Sequence, residues 1–155
     1  MLPKSIECSY FLRSKEEQTR AKDEGNRMKI LVGYDGSDVA KRALNLAQEH
    51  ARKFHAKIYV LHSVVTDLPR KQYEKDKKDL EEVGKFLEKA GFDCEVQLSI
   101  QNMTAGEHLV HFAESHKVDE LILGIRLKSK VGKFLLGSTA QYVILQAPCP
   151  VVSVK

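Results

Sequence analysis

At 155 residues the chain has room for one domain with a sizeable core. Its 43% hydrophobic and 30% charged residues suit a folded protein and exclude a disordered one. The net charge of +4 has a sharp layout: all 21 acids lie in residues 1–120, whereas 121–155 hold five bases and no acid.

Residues 1–27 are rich in Lys, Arg and Glu with a modest apolar patch at Ile6, Tyr10 and Phe11, and are read as an extension, helical or disordered. From Met28 the hydrophobic period organises the chain as one domain, 28–155. Lys29–Tyr34 is a short apolar run ended by the turn Asp35-Gly36-Ser37. Ala40, Ala43, Leu44, Ala47, Ala51 and Phe54 then recur at helical spacing, which predicts a helix over 38–54. Lys57–Val64 reads as a second strand. After Pro69, a charged stretch carries Tyr73, Leu80, Val83, Leu87 and Ala90 on one face until Gly91 stops it. Cys94–Ile100 is a third strand, and Thr104-Ala-Gly-Glu107 is a capping-box pattern opening a helix with Leu109, Phe112 and Ala113 on its face. Glu120–Gly124 is a fourth strand. Ser138-Thr-Ala-Gln141 repeats the capping-box pattern before a short helix that Pro148 ends, and Pro150–Val154 is the last strand.

Alternating strands and helices, with strands apolar almost throughout, imply an α/β fold: a five-stranded parallel sheet with helices on both faces. Ligands of such sheets sit beyond the carboxyl ends of the strands, where strand order reverses. If the first and fourth strands are neighbours, the loops Gly33–Ser37 and Gly124–Thr139 flank that crevice. Four of the five late bases fall within Arg126–Lys133, so the second loop is read either as an anion site or as a solvated basic loop.

Gly124-Ile-Arg-Leu-Lys-Ser-Lys-Val-Gly-Lys-Phe-Leu-Leu-Gly137-Ser138 resembles the nucleotide-binding signature of universal stress proteins: Gly, two residues, Gly, nine residues, Gly, then Ser or Thr. Ile30-Leu-Val-Gly-Tyr-Asp-Gly-Ser37, Leu61-His62-Ser63-Val64 and Ala147-Pro-Cys-Pro-Val-Val152 match in register over Met28–Lys155. The resemblance implies a Rossmann-like sheet of order 3-2-1-4-5 and a cytoplasmic homodimer, joined through its last strand, that binds ATP or AMP, with or without Mg2+, in stress response. It also implies a site drawn from Gly33, Tyr34, Asp35, Ser37, Ser63, Val64, Leu123, Gly124, Arg126, Leu127, Lys128, Ser129, Lys130, Gly132, Lys133, Gly137, Ser138 and Thr139. Asp35 and Ser63 stand where the family places base and ribose.

The physics of the signature agrees with this. Gly124 ends a strand where backbone passes close to a ligand, and Gly137-Ser138 opens a helix whose free N–H groups favour a phosphate. One departure stands out: Leu127 occupies the second Gly position. If its side chain crowds the phosphates, Leu127→Gly tightens binding by roughly 1 kcal/mol. The alternative function is a non-nucleotide interaction protein of the same fold, its crevice closed by Leu127. Gly132-Lys133 is not a P-loop, because Phe134 stands where Ser or Thr is required.

Other chemistries have less support. His108 and His111, with Glu107 and Glu114, are read as a solvated helix face rather than a metal site. His62 is read as a local hydrogen-bonding residue. There is no Gly-x-Ser-x-Gly elbow, and nothing in the chain looks like a dedicated base or metal cage, so any ATP hydrolysis is expected to be slow. Nucleic acid is disfavoured, since Phe134 is the lone aromatic in the basic loop. Cys8, Cys94 and Cys149 lie far apart without metal-ligand spacing, which argues against disulfides or zinc. No apolar run approaches the ~20 residues of a membrane span, and the N-terminus lacks the apolar core of a secretory signal.

Overall fold

The computed structural model describes residues 27–64, 66–100, 102–130 and 133–155; the expected extension lies almost wholly outside them. The elements run β1 (Lys29–Gly33), α1 (Asp38–Phe54), β2 (Lys57–Val64), α2 (Arg70–Lys89), β3 (Cys94–Ile100), α3 (Ala105–His116), β4 (Glu120–Gly124), β5 (Leu127–Lys130), β6 (Lys133–Leu136), α4 (Ser138–Gln146) and β7 (Val151–Val154). Five strands form one parallel sheet in the order β3-β2-β1-β4-β7. That is the expected order once β7 takes fifth place. No helix among the described residues is long and apolar enough to cross a membrane.

Alternation along each strand builds two cores from one sheet. Ile30, Val32, Ile58, Val60 and Ile122 face one way, onto Ala43, Leu44 and Ala47 of α1 and Leu80 and Leu87 of α2. Leu31, Tyr59, Leu61, Leu121 and Leu123 face the other, onto Leu109, Phe112 and Ala113 of α3 and Val143 of α4. Strands sandwiched in this way must be apolar on both sides, hence their unbroken hydrophobic runs.

The helix ends follow from local chemistry. Ser37 caps α1, its hydroxyl accepting from Ala40 N at 3.3 Å. Thr104 and Glu107 form the expected capping box on α3: Thr104 N donates to Glu107 Oε2 at 2.8 Å, and Glu107 N to Thr104 Oγ1 at 3.3 Å. Gly91 follows α2 at φ +83°, a conformation that costs glycine little.

Two expectations for the second loop are revised. The stretch read as a loop contains an antiparallel hairpin, β5–β6, in which Leu127 pairs with Leu136 and Lys130 with Lys133. The capping box expected at Ser138–Gln141 does not form. Gly137 is the N-cap and Ser138 the first helical residue, while Gln141 donates through Nε2 to Leu136 O at 3.0 Å, where the expected box has its side chain accept from the Ser138 N–H.

Candidate functional site

β1 pairs with β2 on one side and β4 on the other, so the chain leaves β1 in one direction and returns beside it from the opposite one. Above that reversal lies a cleft. The strand ends supply Gly33, Tyr34, Asp35, Leu61, His62, Ser63, Leu123 and Gly124; the helices add Ala40, Ala105, Leu109, Thr139 and Ala140. Seven expected site residues thus come together: Gly33, Tyr34, Asp35, Ser63, Leu123, Gly124 and Thr139.

The remaining ones are not among the lining residues. Ser37 is occupied with capping α1. Val64 ends β2 opposite Ile100, away from the cleft wall. Gly137 and Ser138 directly precede the lining residue Thr139. Leu127, Lys128, Ser129 and Lys130 make up β5, and Lys133 opens β6; Gly132 lies outside the described residues.

Arg126 joins the two flanking loops. Its Nη2 donates to Asp35 Oδ2 at 3.1 Å, with both side chains more than half exposed. Ser37 N donates to the other Asp35 oxygen at 3.0 Å. Burial acts to raise the Asp35 pKa. The Ser37 hydrogen bonds, followed by the charges of Arg126 and His62, outweigh it and hold the carboxyl below its ordinary value. The Tyr34 phenol is pushed up, first by burial and then by Asp79 and Asp35, so it remains neutral.

His108 departs from its expected place. Only 5% exposed, it is not a lining residue but has Nδ1 2.9 Å from Oγ of the lining residue Ser63. Burial, and then the neighbouring His111, press its pKa below the usual 6.5. The unfolded chain therefore binds a proton at His108 more readily than the folded one. Stability is fully present above about pH 6.5 and falls as pH drops from there towards the lower folded pKa. Melting temperatures measured from pH 7.5 down to 5.0 are expected to decline, with a shallower decline in His108→Leu. Equal slopes would assign the acid sensitivity elsewhere.

The two signature glycines differ in their reasons. A Cβ on Gly124 would lie 2.5 Å from Val39 O and 2.7 Å from Ala40 N, both backbone atoms of α1. The close approach here is therefore between α1 and β4. Around Gly137 a Cβ would meet nothing within 4 Å, and its φ of −61° and ψ of 151° suit any residue. Neither packing nor backbone requires glycine there. Moreover, no side chain caps α4, so its first N–H groups are left to water or a ligand.

The profile described as "Universal stress protein family" matches residues 26–155. The chain belongs to the universal stress protein family. A universal stress protein of Thermus aquaticus is 35% identical over 134 residues, covering 81% of this chain and 97% of that one. The structure of a universal stress protein from Archaeoglobus fulgidus superposes with a TM-score of 0.72 at 30% identity, over 86% of this chain and 98% of that one. A structure of the universal stress protein from the same organism in complex with dAMP gives 0.69 at 30% identity, over 83% and 98%.

Within this universal stress protein fold, several cleft residues escaped the sequence reading. Leu61 and His62 immediately precede Ser63 on β2. Ala105 and Leu109 come from the start of α3, the helix whose capping box was legible. Their signal was adjacency: Leu61 and His62 sit next to Ser63 on β2, and Ala105 directly follows the capping residue Thr104.

Proposed function

We propose that the protein binds ATP or a related adenine nucleotide such as AMP in this cleft, and acts in stress response or its regulation as a cytoplasmic homodimer. The observation that carries the reading is Gly137, a residue with no packing or backbone reason to be glycine, placed at the uncapped end of α4 beside the cleft. A helix end of this kind suits a phosphate. The Archaeoglobus relative with dAMP bound supports the same ligand class.

Arg126 completes the picture. Exposed ion pairs such as Arg126–Asp35 contribute roughly 0–1 kcal/mol, so a ligand separates them at small cost. Arg126 then becomes available to phosphate, and Asp35 to donors on the sugar or base. Calorimetry and thermal shift on the full chain with ATP, ADP and AMP test the reading. Saturable binding with a raised melting temperature is expected, and no heat or shift at millimolar nucleotide would overturn it.

A second reading, a nucleotide-free interaction protein, gains one point from the hairpin that stands where the family's loop wraps a ligand. The same hairpin changes the expectation for Leu127. Glycine in the first pair of a two-stranded ribbon weakens it, so Leu127→Gly is expected to loosen nucleotide binding, not tighten it. Tighter binding would mean that Leu127 obstructs the site after all.

The dimer is proposed to form through β7. This strand has β4 on one side and no partner within the described sheet on the other, and Val151, Val152 and Val154 are half-buried. Preceding it, α4 exposes Tyr142, Ile144 and Leu145, the last by 77%. An open edge beside exposed apolar side chains favours pairing with a second copy. Leu121 N bonds to Pro150 O, and Ile125 N to Val154 O, so Ser153, out of phase with both, turns its N–H outward. Ser153→Pro removes that donor while sparing the bonds to β4. Light scattering is expected to give a dimer for the full chain and a monomer for the variant. A monomeric parent, or a variant that remains dimeric, would refute this interface.

A further inference from the structure

We propose that His108 fixes the sense in which Ser63 hydrogen-bonds to a nucleoside in the cleft, and so decides which nucleosides are accepted. The inference rests on nucleotide occupancy of the cleft and adds to it a positioning residue outside the cleft lining.

The sheet sets the scale. With phosphate at the α4 N-terminus beyond β4, β2 lies two strands away across β1, or about 10 Å at the usual strand spacing. Ser63, near the carboxyl end of β2 and on the cleft wall, therefore faces the nucleoside end of the ligand. Alternation turns Leu61 and Ser63 towards α3, where Leu61 packs with Leu109. The wall contributed there by Leu61, Ala105 and Leu109 is apolar, and Ser63 brings the hydroxyl to it.

A free serine hydroxyl both donates and accepts and rotates to suit its partner. Ser63 is not free, since His108 Nδ1 is 2.9 Å from its Oγ. His108 is only 5% exposed, and burial together with His111 favours the neutral ring, in which Nδ1 either donates or accepts but does not do both. If Nδ1 accepts, the Ser63 proton is committed and the hydroxyl offers the ligand lone pairs alone, which suits an amino group such as the 6-amino of adenine. If Nδ1 donated, Ser63 would keep its proton and one lone pair and remain two-sided, so the selecting arrangement is the one in which Nδ1 accepts and the Ser63 proton is committed to His108. The stripe of Leu109, Phe112 and Ala113 would accommodate an aliphatic residue at 108 without burying two ring nitrogens, so the imidazole has a role that packing does not supply.

The test compares AMP with IMP, whose 6-positions have opposite hydrogen-bonding sense, by calorimetry on the full chain. The parent is expected to prefer AMP by about tenfold, the cost of leaving a desolvated polar group mismatched. Ser63→Ala and His108→Leu should each bring the ratio to within about twofold, and the double variant no further. His108→Gln keeps a polar partner, but its amide presents either sense. It too should lose the preference, and it stands in if the leucine variant does not fold. General loosening of the site weakens both ligands alike and leaves the ratio intact, so the ratio separates positioning from structural support. Equal binding of AMP and IMP by the parent, a preference for IMP, or a preference that survives His108→Leu and His108→Gln, overturns the inference while nucleotide binding stands. Failure of the parent to bind either nucleotide overturns both.

Discussion

Gly124→Ala is expected to destabilise the protein by about 3 kcal/mol or more, lowering its melting temperature by roughly 6–12 °C. The added methyl has no flexible side chain to displace, because its nearest neighbours are the Val39 carbonyl and the Ala40 amide in the first turn of α1. Relief requires moving α1 away from β4. Yet α1 is held by the Ser37 cap and by Ala43, Leu44 and Ala47, which are buried against the sheet. Part of the cleft wall, Ala40, would move with it. Urea denaturation of parent and variant measures the effect, and a change below about 1 kcal/mol would show that the α1–β4 contact yields easily.

Gly124 also shows how far the sequence was legible. The signature singles out the position and suggests close passage of a ligand; Gly124 does line the cleft, and the structure adds a second reason, the close approach of the α1 backbone. That second reason depends on tertiary packing between residues 39 and 124, which no local pattern carries. The sheet was more transparent. Runs such as Ile30-Leu31-Val32 and Leu121-Ile122-Leu123 are buried on both faces, and continuous burial is what an unbroken apolar run reports.

The hairpin was hidden for another reason. Leu127 is followed by three polar residues, Lys128, Ser129 and Lys130, so the stretch carries no period-2 alternation to set against a match to a loop signature. His108 was misread despite an available signal: residues 108, 109, 112 and 113 fall on one stripe of α3, and all four are buried. Identity had been allowed to override position, because histidine beside Glu107 looks solvated until the stripe is counted.

Gly137→Asp is expected to move stability and binding in opposite directions. The backbone at 137 is extended and its surroundings are open, so an aspartate enters without strain. Its carboxylate would cap the free N–H groups of α4 and complement the helix dipole, while replacing glycine reduces the freedom of the unfolded chain. Together these effects should raise stability by about 0.5–1 kcal/mol. The same carboxylate would occupy the proposed phosphate position with like charge, and nucleotide affinity should fall at least tenfold, about 1.4 kcal/mol. Gly137→Val supplies the steric counterpart: it too should lose affinity, but without the gain in stability, since valine is a poor N-cap. Thermal melts and AMP calorimetry on the three proteins separate the cases. A more stable Gly137→Asp that still binds AMP as the parent does would place the phosphate away from α4. Loss of binding with gained stability would mean that glycine leaves this helix end open for an anion supplied by the ligand.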